Sequence, residues 1–256
     1  MMENIFDSHA HYADNDFKKV RDELLATLPD KGVKYVMLAS TNVTDTVKNL
    51  ELARKYSYIW SSSGIHPSDC EKTPAGYLDL LRETANDPKV RAIGEIGLDY
   101  HYQEFSKDIQ MKFFTEQLDL AKELNKPVII HSRDACEDTM EVLRKYRPEG
   151  VMHCFSYSAE IAKEVVKLGM YVGFTGVVTF KNANKTVKAV EAVPLERLLL
   201  ETDCPYMAPE PFRGQKSESS MIAYTAAKIA EIKGLTTQEI LDITCENAKR
   251  FYGIEE

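Results

Sequence analysis

Short apolar runs alternate with amphipathic stretches along the 256 residues of the chain, and that alternation limits the architectures open to it. The runs read as strands at 4–9, 34–40, 59–65, 90–97, 127–131, 150–154, 170–175 and 197–203. Between them apolar residues recur at helical spacing, as with Met111, Phe114, Leu118 and Ala121 in 107–125, and again over 134–147 and 159–168. Two more helices, near 218–233 and 236–251, close the chain, and Thr236-Thr237-Gln238-Glu239 has the form of a capping start for the last. Eight strands alternating with helices give either a closed (β/α)8 barrel or a doubly wound open sheet.

The placement of polar residues separates the two. His9 and His11 end the first run, Glu95 the fourth, His131 the fifth, His153 the sixth and Asp203 the eighth. In an open sheet such residues would cluster at one switch point. Drawn from strands across the whole order, they converge only if the sheet closes, and a barrel keeps its chemistry at the ends of its strands. The expected fold is an α/β single-domain (β/α)8 TIM barrel over 1–256, with no low-complexity stretch, Gly/Ser linker or composition break to divide it.

Four of the six histidines lie at these ends. His9 and His11, two residues apart, share one face of a strand. Glu95 follows Val90-Arg91-Ala92-Ile93-Gly94 and would be buried, where a carboxylate without a cation costs several kcal/mol. Arg91 or Arg133 is the structural partner on offer; a pair of metals is the functional one. Asp203 is in the same position, with Arg213 as its structural alternative and Glu201 on its face two residues earlier. Neutral imidazoles and carboxylates suit divalent cations, whether Mg, Mn, Zn, Co or Ni. Two such ions amid four imidazoles and two carboxylates leave a positive centre, which favours an anionic substrate. A metal pair suits in-line attack of water on phosphorus, with Asp203 placed to hold or deprotonate that water.

A net charge of −8 argues against a broad basic nucleic-acid surface, although bound metal supplies local positive charge that composition misses. No apolar run approaches the roughly 20 residues of a membrane span, and no signal-peptide pattern is evident. The five cysteines, at 70, 136, 154, 204 and 245, form no CxxC pair, as befits a reducing compartment. A cytoplasmic protein with no membrane association and no obligate protein partner is expected.

The segments Asp7-Ser8-His9-Ala10-His11, Gly64-Ile65-His66-Pro67, Gly94-Glu95-Ile96-Gly97-Leu98-Asp99-Tyr100, Ile130-His131-Ser132-Arg133, His153-Cys154-Phe155-Ser156 and Glu201-Thr202-Asp203-Cys204-Pro205 resemble the TatD family of metal-dependent deoxyribonucleases, in the family's order. The resemblance implies a TIM barrel of the amidohydrolase superfamily that hydrolyses phosphodiester bonds in DNA, on single strands or chain ends, with two divalent cations. It implies that His9, His11 and Asp203 hold one ion, that His131 and His153 hold the other, and that Glu95 bridges them. Catalytic roles would fall to Asp203 and Glu95, with Glu201 and His66 as further candidates. His66 also reads as a contact to substrate phosphate or water, or else as a turn histidine fixed by Pro67.

The loop from Pro211 to Ser219 resembles the family's Arg-Gly loop but has Ser217-Glu218-Ser219 where Asn and then Glu-Pro are usual. Arg213 still offers a planar fork to phosphate oxygens. The altered loop and the acidic charge leave a second reading, in which the same platform hydrolyses another ester or amide: a small phosphoester, a cyclic amide or an aminoacyl-tRNA ester. Tyr100, His101 and Tyr102 read either as packing or as a stacking platform for unpaired bases. Lys181, Lys185 and Lys188 read as a solvated helical face, or as a track for a nucleic-acid backbone.

Overall fold

A computed structural model describes residues 2–255. Its strands are β1 (Ile5–Ala10), β2 (Val33–Leu38), β3 (Ile59–Ser63), β4 (Val90–Asp99), β5 (Val128–Arg133), β6 (Gly150–Met152), β7 (Tyr171–Phe174) and β8 (Leu198–Leu200). Helices α1 (Arg21–Thr27), α2 (Val43–Lys55), α3 (Tyr77–Ala85), α4 (Lys107–Glu123), α5 (Cys136–Tyr146), α6 (Ala159–Lys167) and α7 (Asn184–Ala192) follow the first seven strands in turn. Helices α8 (Ile222–Lys233) and α9 (Thr237–Tyr252) come after β8. The strands form one sheet in the order β1 to β8, and a parallel bridge from Ala10 to Cys204 joins its two ends. This is the (β/α)8 barrel expected. Strands covered on both faces read as continuous apolar runs, which is how Val90, Ala92, Ile93, Ile96 and Leu98 of β4 come to be buried.

Several strands are shorter than the sequence suggests. His11, His153 and Asp203 each lie just beyond the last residue or residues of their strand, in the turns that leave the sheet. Thr236 is the N-cap of α9, and its capping box with Glu239 is complete in both directions. No disulfide joins any of the five cysteines, all of which lie among the described residues. Among the described residues no helix is long and apolar enough to cross a membrane.

Contacts concentrate in two compact units. The first holds β1, β2, β7, β8, α1 and α6 to α9. Its seam between β1 and β8 is tied by the Ser8 hydroxyl, which donates to the Leu200 carbonyl at 2.8 Å. Beneath it lies a polar knot around Asp7, which is wholly buried. The Asp7 carboxylate accepts the hydroxyls of Thr202 and Ser219 at 2.6 Å each and the Thr202 amide at 3.0 Å. Burial pushes the Asp7 pKa up to about 6, against the opposing pull of those hydrogen bonds.

The unusual loop residue Ser219 is thus committed to the interior. Its amide also donates to the Tyr12 hydroxyl at 2.9 Å, a bond that a proline at this position would lack. Glu218 pairs with Lys31 at 3.2 Å. The second unit, Ala39–His153 with Leu168–Met170, holds β3 to β6 and α2 to α5.

The knot makes a stability prediction. Ser219→Ala removes a donor to Asp7 and a partner of Tyr12, leaving buried polar atoms short of hydrogen bonds. Urea unfolding should show a loss of about 1–3 kcal/mol; an unchanged midpoint would mean that the knot contributes nothing.

Candidate metal centre

In the first unit the chain brings three side chains together by pinning two turns against each other. The Asp203 amide donates to the His9 carbonyl at 3.0 Å, and the His11 amide donates to the Cys204 carbonyl at 2.9 Å. Asp203 has a φ of 59°, a left-handed conformation that Asp tolerates better than most side chains. The outcome is a tight cluster. His9 Nε2 lies 3.0 Å from His11 Nε2, and Asp203 Oδ1 lies 3.2 Å from the His11 nitrogen and 3.7 Å from the His9 nitrogen. Arg213, the alternative partner for Asp203, is exposed and lays its guanidinium 4.3 Å above the Phe180 ring.

In the second unit Glu95 is the centre of convergence. The register of β4 against β5 shifts between Ile93 and Ile96, an irregularity of the kind that re-aims a side chain. The Glu95 amide leaves the β4–β5 ladder and donates to the Ser40 carbonyl at 2.7 Å. Its Oε1 lies 2.8 Å from His131 Nδ1 and 2.7 Å from His153 Nε2, with those nitrogens 3.2 Å apart. Arg133, one of the two structural partners on offer, reaches over the Tyr102 ring at 5.4 Å. Gly97, opposite His131 in the ladder, lets the strands approach: a Cβ there would meet the His131 carbonyl oxygen at 1.9 Å.

His131 lies between two acids, since Asp99 Oδ2 is 3.1 Å from its Nε2. Burial works against charge on this imidazole, but hydrogen bonds to Asp99 and Glu95 outweigh it and raise the pKa to about 9. His66 goes the other way. Burial first, then the charge of His131, lower its pKa to about 3, so it is neutral. Its Nδ1 accepts the Ser68 amide at 3.1 Å, which leaves the ring proton on Nε2, 3.7 Å from Glu95 Oε1. His66 is a neutral N–H donor facing Glu95.

The remaining sequence candidates fall outside these clusters. Glu201 is buried, and its carboxylate accepts the backbone amide of Cys154, against Gly173, where a Cβ would come within 2.5 Å of it. Tyr100 is committed to Asp138 by a 2.7 Å hydrogen bond, while Tyr102 is exposed. Lys181, Lys185 and Lys188 are exposed, as a solvated face requires. Asp99 is the site residue that sequence reasoning passed over. Period-two alternation from Glu95 through Gly97 puts it on the same face, and that signal could have found it.

Each cluster gathers imidazole nitrogens and carboxylate oxygens around a common point, a donor set that fits a divalent cation. A (β/α)8 barrel with such clusters at its strand ends defines a metal-dependent hydrolase. The family model for TatD related DNase matches residues 6–253, and the chain belongs to this family. It is 41% identical over 253 residues to the uncharacterized metal-dependent hydrolase YabD of Bacillus subtilis, covering 98% of this chain and 99% of that one. It is 32% identical over 258 residues to the 3'-5' ssDNA/RNA exonuclease TatD of Escherichia coli, again covering 98% and 99%. The crystal structure of YJJV, a TatD homolog from Escherichia coli, matches with a TM-score of 0.91 at 30% identity, covering all of both chains.

A proton linkage follows from His131. In the metal-free protein His131 stays protonated up to about pH 9, so a cation taking Nδ1 as a ligand would have to expel a proton. Affinity should rise about tenfold per pH unit below that value and level off above it. Conversely, the raised pKa stabilises the metal-free fold fully below about pH 6.5, and the contribution is lost as pH climbs through about 9. Calorimetric metal titrations in buffers of different ionisation enthalpy should show about one proton released at neutral pH for the cation that binds beside His131. Release of none would contradict the assignment.

Proposed function

We propose that this chain, acting as one barrel domain, hydrolyses phosphodiester bonds in single-stranded DNA, working from chain ends, with two divalent cations. One would be held by His9, His11 and Asp203, the other by Glu95, His131 and His153. The observation that carries the proposal is the pair of histidine–carboxylate clusters, each with its ligand atoms within hydrogen-bonding distance or little more. The 3'-5' ssDNA/RNA exonuclease name of a relative aligned along nearly the whole chain supports the choice of substrate.

Divalent cations there would supply Lewis acidity toward a phosphoryl oxygen and make water more acidic. The protein's own groups do the rest. Asp203, the more accessible of the two ligand carboxylates, is placed to take the proton of attacking water. Neutral His66, whose Nε2–H faces Glu95 in the free protein, would offer that hydrogen to a substrate phosphate oxygen with no change of protonation. Glu201 holds the backbone at Cys154, next to the ligand His153. Arg213, exposed on its loop, offers a fork to the trailing phosphates. Five cysteines with no disulfide among them suit a reducing, cytoplasmic setting.

The test is digestion of end-labelled single-stranded DNA by stripped protein reconstituted with Mg, Mn, Co, Ni or Zn. Progressive shortening from one end is expected, abolished by EDTA and reduced about 10²–10⁴-fold in Asp203→Asn. Cleavage that survives EDTA would contradict the metal mechanism. Inertness toward DNA, with hydrolysis of aminoacyl-tRNA or a small ester instead, would transfer the same centre to the other substrate class.

A further inference from the structure

The surroundings of Asp99 carry a role that the ligand set does not include. Asp99 ends β4 and is buried, with both carboxylate oxygens engaged. Oδ2 faces His131 Nε2 at 3.1 Å, and Oδ1 accepts the His101 amide at 3.0 Å. Its backbone is clamped from both sides by one side chain. Gln110 of α4 accepts the Asp99 amide at 2.8 Å and donates to the Asp99 carbonyl at 2.9 Å. The carboxylate therefore has a fixed position, and the ring nitrogen opposite it must be a donor.

We infer that Asp99 is a positioning residue that holds His131 in the Nε2–H form and so commits its Nδ1 to the metal. The geometry supports this commitment. Nδ1 is the nitrogen that points at Glu95 Oε1 and His153 Nε2, at 2.8 and 3.2 Å. The His66 ring, 4.3 Å away and packed edge-on, sits against the same imidazole. A carboxylate on the far nitrogen both orients a ligating histidine and raises its basicity. The rival reading makes Asp99 a ligand itself, since one atom each from His66, Asp99 and His131 lies within 4.8 Å of the others. His66 argues against that reading, because its outward nitrogen carries the proton. The inference rests on His131 as a metal ligand but not on the choice of nucleic acid as substrate.

The test is zinc titration of stripped full-length protein, with no substrate present, on wild type, Asp99→Asn and Asp99→Leu. It is joined by ¹⁵N-edited NMR of the histidine rings in the zinc-loaded wild type. Asp99→Leu should weaken binding of one cation by about 10–100-fold. Asp99→Asn, whose amide oxygen still accepts from Nε2–H, should recover most of that loss. The wild-type spectrum should show His131 protonated at Nε2 and coordinated through Nδ1; this readout needs no variant to fold. Coordination through Nε2, wild-type affinity in Asp99→Leu, or Asp99→Asn as weak as Asp99→Leu would each overturn the assignment. Wild-type protein that binds no zinc would bring down the metal centre along with it.

Discussion

A carboxylate buried to 2% exposure needs positive charge beside it, and the imidazoles of His131, His153 and His66 face Glu95 Oε1 at 2.8, 2.7 and 3.7 Å. Imidazoles in the metal-free chain can supply that charge only by taking up protons. The raised pKa of His131 is the consequence: a proton stands where a cation would sit. The same arrangement explains why His66 stays neutral, since a second imidazolium beside the first would be driven off by like charge and burial. The electrostatics around His131 reduce to two buried acids, Asp99 and Glu95, and the question of what balances them.

Geometry of this quality depends on backbone that does not move. Gly97 allows β4 to lie against the His131 carbonyl, and Gln110 clamps both sides of Asp99. In the other unit the turn at Asp203 is pinned to β1 by two amide–carbonyl bonds, and Asp7 underlies that turn through Thr202. Ligands carried on strand ends and supported by a second layer of hydrogen bonds are held more closely than ligands on free loops. The acidic net charge ceases to be an obstacle to an anionic substrate, because attraction would come from cations at the centre and not from the surface.

Much of this was legible from residue order alone. Strand positions, helices α4, α5, α6, α8 and α9, and the six ligand candidates follow from apolar periodicity and from polar residues at the ends of apolar runs. What escaped did so for identifiable reasons. Strand ends were overextended at His153 and Asp203, which sit in turns beyond β6 and β8 although their amides still donate to the Ile130 and His9 carbonyls. Asp99 was within reach of period-two alternation from Glu95 through Gly97, but no apolar run ends on it, so a search for polar residues at run ends passed it by. The commitment of Glu201 to a backbone amide, and of Ser219 to the Asp7 knot, depends on partners 47 and 212 residues away. No local pattern encodes contacts at such separations.

The central claim, that these clusters exist to hold divalent cations, is tested most directly by counting metal in the protein. Stripped chain reconstituted with zinc or manganese and freed of excess should retain about two ions per molecule by elemental mass spectrometry. Glu95→Gln and His131→Ala should each retain fewer. A wild-type chain that keeps no stoichiometric metal, or variants that keep as much as wild type, would contradict the account.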